Sequence, residues 1–284
     1  KLENYLPADD GSSPLARAET WKKTKCPNCG KAAKRETDTM DTFVDSSWYF
    51  LRYTDPKNNS ELAGKEKINA WNPVDLYTGG AEHNTMHLLY SRFFIKALKD
   101  IGIVDFDEPF LMRRNHGIVL GPDGAKMSKS KGNVVDPDKE VAEYGADTVR
   151  MYLAFLGPYD TFNGPFDPRG ISGVHRFLHR VWKLAHQISN NKLPITNKTT
   201  EIDRILHRAI KKIGEDIETL HFNTAISEMM KLLNEFEHSL DIGNLKFEIF
   251  LKLLAPFAPH MAEELWSRNH TTSIHLEPWP TYDP

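Results

Sequence analysis

With 284 residues and a formal net charge of −3, the chain has room for one large domain or two medium ones. It carries no whole-chain field to draw nucleic acid, so any RNA contact must come from local basic faces. Its 40% hydrophobic and 26% charged residues are an ordinary globular balance. No apolar run approaches the roughly 20 residues that span a bilayer, and no signal-peptide pattern opens the chain, so no membrane role is expected and the cytoplasm is the default location.

Residues 1–35 read as a connecting arm, with Pro7, the run Asp9-Asp10-Gly11-Ser12-Ser13-Pro14 and few apolar repeats. The only cysteines stand in Cys26-Pro-Asn-Cys29-Gly30, the spacing of half a zinc ribbon. A structural zinc needs four ligands, and no second pair or nearby histidine is present. A relic knuckle is expected, with metal only if another segment supplies ligands. A disulfide is not expected in a cytosolic chain. Val74–Tyr77 predicts a short buried strand, broken by Gly79-Gly80. A helix follows from about Asn84 to Ile101, with Met86, Leu89, Tyr90, Phe93, Phe94, Ala97 and Leu98 at helical spacing. Gly102 is its natural stop. Another strand, Gly117–Leu120, runs through Gly121-Pro-Asp-Gly124 into a lysine-rich loop. Strand, helix, strand and loop make half of a nucleotide-binding α/β unit.

Asp136-Pro137 places an N-cap before a proline at the first helical position, so a helix opens there and continues to Tyr144. Thr148–Leu156 is a second helical run, ended by Gly157-Pro158. Beyond Gly170 the texture changes. Helices fit 171–190, 201–219, 223–239 and 244–268, separated by Asn190-Asn-Lys-Leu-Pro194, His221-Phe222 and Asp241-Ile-Gly243. Pro256 and Pro259 should kink the last helix or divide it. No strand pattern interrupts this half, which reads as a helical bundle. Ser273–Pro280 is expected to be extended and to pack over it. The predicted class is therefore α/β followed by all-α.

The richest stretch is Gly124-Ala-Lys-Met-Ser-Lys-Ser-Lys-Gly-Asn133. Lys126 and Lys129 lie three apart, Ser128 and Ser130 offer hydroxyls, and Met127 is a lone apolar anchor. Such a loop can fold over a polyphosphate and neutralise charge as pyrophosphate leaves; the bland alternative is a solvated loop or a short basic patch. Upstream, Gly79-Gly80-Ala-Glu82-His83 sits where a strand ends and a helix begins. There the backbone can approach a ligand, and Glu82 can accept from ribose hydroxyls; a plain turn with an acidic first helical turn is the other reading. His83 and His87 are four apart, as in a metal pair, but the order Glu-His-x-x-x-His misplaces the glutamate of a metalloprotease. In the helical half, Arg176, Arg180 and Lys183 share one face, and Arg204, Arg208, Lys211 and Lys212 cluster on the next helix. Such stripes meet phosphates or are solvated faces.

Three segments in order carry a family resemblance: Glu36-Thr-Asp-Thr-Met-Asp-Thr-Phe-Val-Asp-Ser-Ser-Trp-Tyr-Phe-Leu-Arg-Tyr-Thr-Asp-Pro56, Val74-Asp-Leu-Tyr-Thr-Gly-Gly-Ala-Glu-His-Asn-Thr-Met-His-Leu-Leu-Tyr90, and the Lys126–Ser130 pentamer with its sequel through Arg150. From about Leu15 to Trp279 the chain resembles the leucyl-tRNA synthetases, of the class I aminoacyl-tRNA synthetases. The resemblance implies the second half of a Rossmann-like catalytic domain at 36–169, after the arm 1–35, and a helical anticodon-binding-type domain at 170–284. It implies ATP with Mg2+ as substrate, L-leucine and tRNA(Leu) as partners, and leucine–tRNA ligase activity. Lys126, Met127, Ser128, Lys129 and Ser130 would form the catalytic loop. Gly79, Gly80, Glu82, His83 and Lys129 would take ATP, and Tyr49, Tyr77 and His87 leucine. The family's other signature, His-x-Gly-His, does not occur, and neither does a counterpart of its editing domain. The chain is thus expected to be an excised piece or one subunit of a split enzyme, inactive without the N-terminal half. The alternative is a non-catalytic tRNA-binding protein of synthetase ancestry.

Overall fold

The computed structural model of the chain describes residues 5–6, 11–189, 201–239 and 242–283. It divides into two compact units, Lys1–Tyr77 with Ala81–Arg113, and Thr78–Gly80 with Arg114–Pro284. The Asp9-Asp10 run, the Asn190–Pro194 connection and Asp241 lie outside the described residues.

The first unit opens with a 3-10 turn (Pro14–Arg17), followed by a short helix α1 (Glu19–Lys22) and an antiparallel hairpin of β1 (Lys23–Lys25) and β2 (Ala32–Lys34), Lys23 opposite Lys34. The expected loop arm thus contains a hairpin. Its turn is the cysteine knuckle, where Gly30 at φ 72° takes the left-handed conformation that glycine adopts without strain. Two helical turns follow, α2 (Thr42–Asp45), whose first turn is capped by the Asp41 carboxylate accepting from the Phe43 N–H at 2.9 Å, and α3 (Tyr49–Arg52). Then come α4 (Lys65–Trp71), β3 (Val74–Gly79), α5 (His87–Asp100) and β4 (Phe110–Asn115), with β3 hydrogen-bonded to β4. Leu51, Ile68 and Ile95 are fully buried at the centre of a small core with Phe50, Ala63 and Val104.

Two expectations change here. The strand at Val74 is not buried, because it has one partner strand among the described residues, and Asp75, Leu76 and Thr78 are exposed. The helix begins at His87 rather than Asn84, since Ala81–Asn84 wind as a tighter 3-10 turn. Gly102, at φ 78°, closes the helix as expected, its N–H on the Lys99 carbonyl at 2.9 Å.

In the second unit β5 (Ile118–Leu120) pairs in parallel with β6 (Asn163–Pro165), Ile118 opposite Asn163. Nothing in the sequence pattern marked β6, whose Gly164 and Pro165 carry no strand signal. A Cβ on Gly117 would lie 2.1 Å from the Phe162 carbonyl oxygen, so only glycine fits at the entry to β5. Helix α6 (Pro137–Tyr144) starts with Asp136 accepting from the Asp138 N–H at 3.1 Å. Then follow α7 (Ala146–Phe155), α8 (Pro168–Ser189), α9 (Glu201–Glu218), α10 (Phe222–His238), α11 (Gly243–Leu254) and α12 (Pro259–Trp266). The last predicted helix is divided in two around Pro256, with Pro259 at the first position of α12.

The apolar stripes of α7 to α12 close on one core that contains fully buried Phe236, Phe250, Ile210, Ile213 and Met229. Asp147, near the start of α7 and 8% exposed, accepts from His260 Nδ1 at 2.8 Å and the Met261 N–H at 2.7 Å, fastening α7 to α12. The tail differs from a plain extended segment: Ile274–Leu276 form a 3-10 turn, with Ile274 buried in the core and its N–H on Glu263 Oε2 at 2.9 Å. No helix of the described residues is long and apolar enough to cross a membrane.

Candidate functional site

The first unit brings Tyr49, Tyr77 and His87 together, one each from α3, β3 and the start of α5. The Tyr49 and Tyr77 hydroxyl oxygens are 2.6 Å apart, and Tyr77 Oη lies 2.9 Å from His87 Nε2. On the other side of the imidazole, Nδ1 meets the Ser46 hydroxyl at 3.0 Å. Tyr77 stacks on Phe110 with ring centroids 3.9 Å apart. His87 is 6% exposed. Burial, followed by the neighbouring His83 and Arg113, lowers its pKa, so the neutral ring is favoured. Burial foremost raises the Tyr77 pKa, so this phenol keeps its proton. The cluster is an aromatic wall with a small polar seam, the kind of surface that selects an apolar side chain by shape.

Glu82 and His83 share the 3-10 turn that precedes α5, with Glu82 exposed. His83 meets Phe43 edge-on at 5.9 Å and His87 at 6.5 Å. Both His87 nitrogens are taken up by hydroxyls, so that ring directs no free nitrogen at an ion.

In the second unit the lysine loop is held by its flanks. Asn133 Nδ2 donates to both Asp123 carboxylate oxygens at 3.1 Å and to the Lys126 carbonyl at 3.3 Å, while its Oδ1 accepts from the Ser128 N–H at 2.9 Å. Asn133, then the Ala125 amide, hold the Asp123 carboxyl below its usual range. A Cβ on Gly121 would stand 2.7 Å from Asp123 Oδ1 and 2.8 Å from the Asn133 carbonyl oxygen, so the clamp needs glycine there. Met127 is half-buried against the helical core, as an anchor should be. Ser128 and Ser130 hydroxyls are 2.7 Å apart, and Lys129–Lys131 form a 3-10 turn ended by Gly132 at φ 66°. Lys126 and Lys129 stay exposed. Gly79 and Gly80 also belong to this unit, Gly79 accepting from the His116 N–H at 3.1 Å.

The basic stripes are partly spent within the bundle. Arg180 forms a two-pronged pair with Glu237 and reaches Asn234 Oδ1 at 2.5 Å. Lys212 pairs with buried Asp216 at 2.5 Å and Arg204 with Glu201 at 3.0 Å, while Lys211 lies 5.8 Å from the Tyr282 ring centre. Arg176, Lys183 and Arg208 are exposed. At the knuckle, the amides of Cys29 and Asn28 lower the Cys26 thiol pKa. Among the described residues no third His, Cys, Asp or Glu joins the two cysteines in a group able to hold a metal.

Sequence reasoning missed Ser46, Phe110, Asp123 and Asn133. Ser46 lay inside the Glu36–Pro56 segment, and Asp123 and Asn133 flank the pentamer; no spacing rule marked Phe110, which arrives from a distant strand.

The family of tRNA synthetases class I (I, L, M and V) matches residues 10–161, and the anticodon-binding domain of tRNA ligase matches residues 200–284. Among individual proteins, a leucine–tRNA ligase of Alkaliphilus oremlandii is 47% identical over the whole chain, which covers 35% of that protein. Another, of Clostridium perfringens, is 48% identical over 98% of the chain, which covers 36% of that protein. The chain thus spans about a third of the length of the curated relatives it matches. The crystal structure of the ternary complex of Agrobacterium radiobacter K84 agnB2 LeuRS-tRNA-LeuAMS superposes with a TM-score of 0.83 at 41% identity, covering 98% of this chain and 37% of that one. Mycobacterium tuberculosis methionyl-tRNA synthetase shares the fold, with a TM-score of 0.59 at 19% identity over 85% of this chain and 51% of its own.

Proposed function

The chain belongs to the class I tRNA synthetases (I, L, M and V), and from that membership we propose that it is part of a leucine–tRNA ligase, acting in ATP-dependent activation of L-leucine and its transfer to tRNA(Leu). Identity of 47–48% to leucine–tRNA ligases supports the amino acid. The observation that carries the chemistry is the lysine loop, closed by Asp123 and Asn133 so that its two motif lysines stay outward.

In this reading the leucine carboxylate oxygen attacks the α-phosphorus of ATP. The bond from that phosphorus to the bridging oxygen breaks, and pyrophosphate leaves with the electron pair. The nucleophile arrives bound, so the protein mainly positions groups and stabilises charge. Lys126 and Lys129 take up the charge that grows on pyrophosphate, Lys129 foremost, with Ser128 and Ser130 as hydrogen-bond donors and Met127 fixing the loop to the core. Mg2+ enters with ATP as part of the substrate. Tyr49, Tyr77 and His87 receive the leucine side chain, Glu82 and His83 serve the adenosine side, and Gly79 and Gly80 let backbone approach the nucleotide. We assign residues 36–169 to the catalytic half, after the arm 1–35, and residues 170–284 to tRNA binding, in which Arg176, Lys183 and Arg208 are the best-placed cations. Zinc at Cys26 and Cys29 is not part of this reading.

Glu82→Gln, in the enzyme that contains this chain, should weaken use of ATP and leave tRNA binding unchanged. Steady-state ATP titration beside a tRNA filter-binding assay checks this, and indifference to ATP would remove Glu82 from the adenosine site. The 284 residues by themselves should show no leucine-dependent pyrophosphate exchange, because one lysine loop does not replace a second set of phosphate ligands. Robust exchange by highly purified chain would contradict that.

A further inference from the structure

The direction of the hydrogen-bonded seam through His87 turns on where the single Ser46 hydroxyl hydrogen lies. The Ser46 hydroxyl has one hydrogen and two acceptors in reach, His87 Nδ1 at 3.0 Å and the Phe43 carbonyl at 3.1 Å, three residues back in the chain, which also accepts from the Ser47 hydroxyl at 2.5 Å. With that hydrogen on Phe43, the oxygen facing His87 Nδ1 at 3.0 Å presents a lone pair, and Nδ1 then carries the imidazole hydrogen. A neutral imidazole has one such hydrogen, which leaves Nε2 an acceptor. Tyr77 then donates to Nε2 at 2.9 Å, and Tyr49, 2.6 Å from Tyr77, donates to the Tyr77 oxygen in turn. Ser91 Oγ lies farther from Nε2, at 3.4 Å, and its hydrogen goes to the His87 carbonyl at 2.8 Å. It does not compete with Tyr77.

We propose that Ser46 is a positioning residue that holds His87 in its Nδ1–H form, so that the Tyr49 and Tyr77 hydroxyl hydrogens all point along the seam and a bound amino acid meets only their lone pairs. This rests on the assignment of Tyr49, Tyr77 and His87 to the leucine site. The opposite tautomer would reverse every bond and free the Tyr49 hydrogen for the ligand. With no spare hydroxyl hydrogen, the two tyrosines offer a side chain ending in acceptors alone, such as aspartate with its leucine-like branched shape, no hydrogen bond. Ser46 thereby helps the site refuse a polar look-alike without touching it.

The test is the tautomer itself. In chain labelled with 15N-histidine, the protonated and bare nitrogens of a neutral ring resonate far apart, and the His87 signals are identified by their loss in His87→Gln. The expected result is hydrogen on Nδ1 in the wild type, a shift toward Nε2–H in Ser46→Ala, and recovery in Ser46→Thr, which keeps the hydroxyl. Hydrogen on Nε2 in the wild type would overturn the proposal, and the assignment needs only that His87→Gln keeps the wild-type dispersion. A Ser46→Ala spectrum with wild-type dispersion and an unchanged tautomer would also overturn it. In the complete enzyme, Ser46→Ala should raise the leucine KM about two- to tenfold with kcat nearly kept, the size of one modest hydrogen bond, and should narrow the margin of leucine over aspartate. If the tautomer shifts as expected while the leucine KM does not move, the seam is right and the placement of leucine beside it is wrong. The two failures are thus distinguishable.

Discussion

Lys129→Ala, in the enzyme that contains this chain, is expected to slow adenylate formation by about 10²–10³-fold while changing leucine binding little. Loss of one preorganised charge-stabilising contact costs about 2.7–4 kcal/mol at the transition state. The lysine is suited to that role by what surrounds it. Asp123 and Asn133 fix the base of the loop, Met127 anchors it on the helical core, and the 3-10 turn at Lys129–Lys131 leaves Lys129 exposed. The side chain's own charge, and not its packing, is therefore what alanine removes. Pre-steady-state formation of adenylate, with leucine affinity measured alongside, separates the two. Equal losses in rate and affinity would make the loop a structural element.

Phe250→Ala should lower the unfolding free energy of the helical half by about 3–5 kcal/mol, the range for emptying a large aromatic site in a packed core. Phe250 is fully buried in α11, its ring 5.8 Å from that of fully buried Phe236 and 6.0 Å from that of Phe247. Helices on several sides fix the neighbours, so the space cannot collapse cheaply. Leu245, in the same helix but 71% exposed, is the internal control, and Leu245→Ala should stay within about 0.5 kcal/mol. Urea unfolding followed by far-UV circular dichroism reports both. Similar midpoints for the two variants would mean that this core is not where the half gains its stability.

Much of the helical half was legible because each helix repeats an apolar stripe with a 3.6-residue period, and because Pro256 and Pro259 cannot continue one. The parts that stayed hidden are those set by long-range contacts. Three-residue β6 has no periodicity to read, and it exists because Ile118–Leu120 offers it an edge. Burial of Val74–Tyr77 was inferred from composition, but burial depends on what lies on the other side of a strand. At the candidate site, the lysines were visible as a motif, whereas their clamp joins residues ten apart through one asparagine side chain. Ser46 was invisible in the same way. Its role comes from a histidine 41 residues away. The basic stripes show the converse: spacing placed Arg180 on a helix face, but only the fold showed it committed to Glu237.

The most direct test of the leucine reading is amino-acid-dependent pyrophosphate exchange by the enzyme that contains this chain, run with leucine, isoleucine, valine and methionine on wild type and Tyr77→Ala. Wild type is expected to prefer leucine. Removing the Tyr77 ring, which stacks on Phe110 and reaches His87, should relax that preference by roughly tens to hundreds of fold, since small differences in an apolar pocket are worth about 1–3 kcal/mol. A wild type that prefers isoleucine or valine would contradict the account, as would a Tyr77→Ala enzyme that keeps full selectivity for leucine.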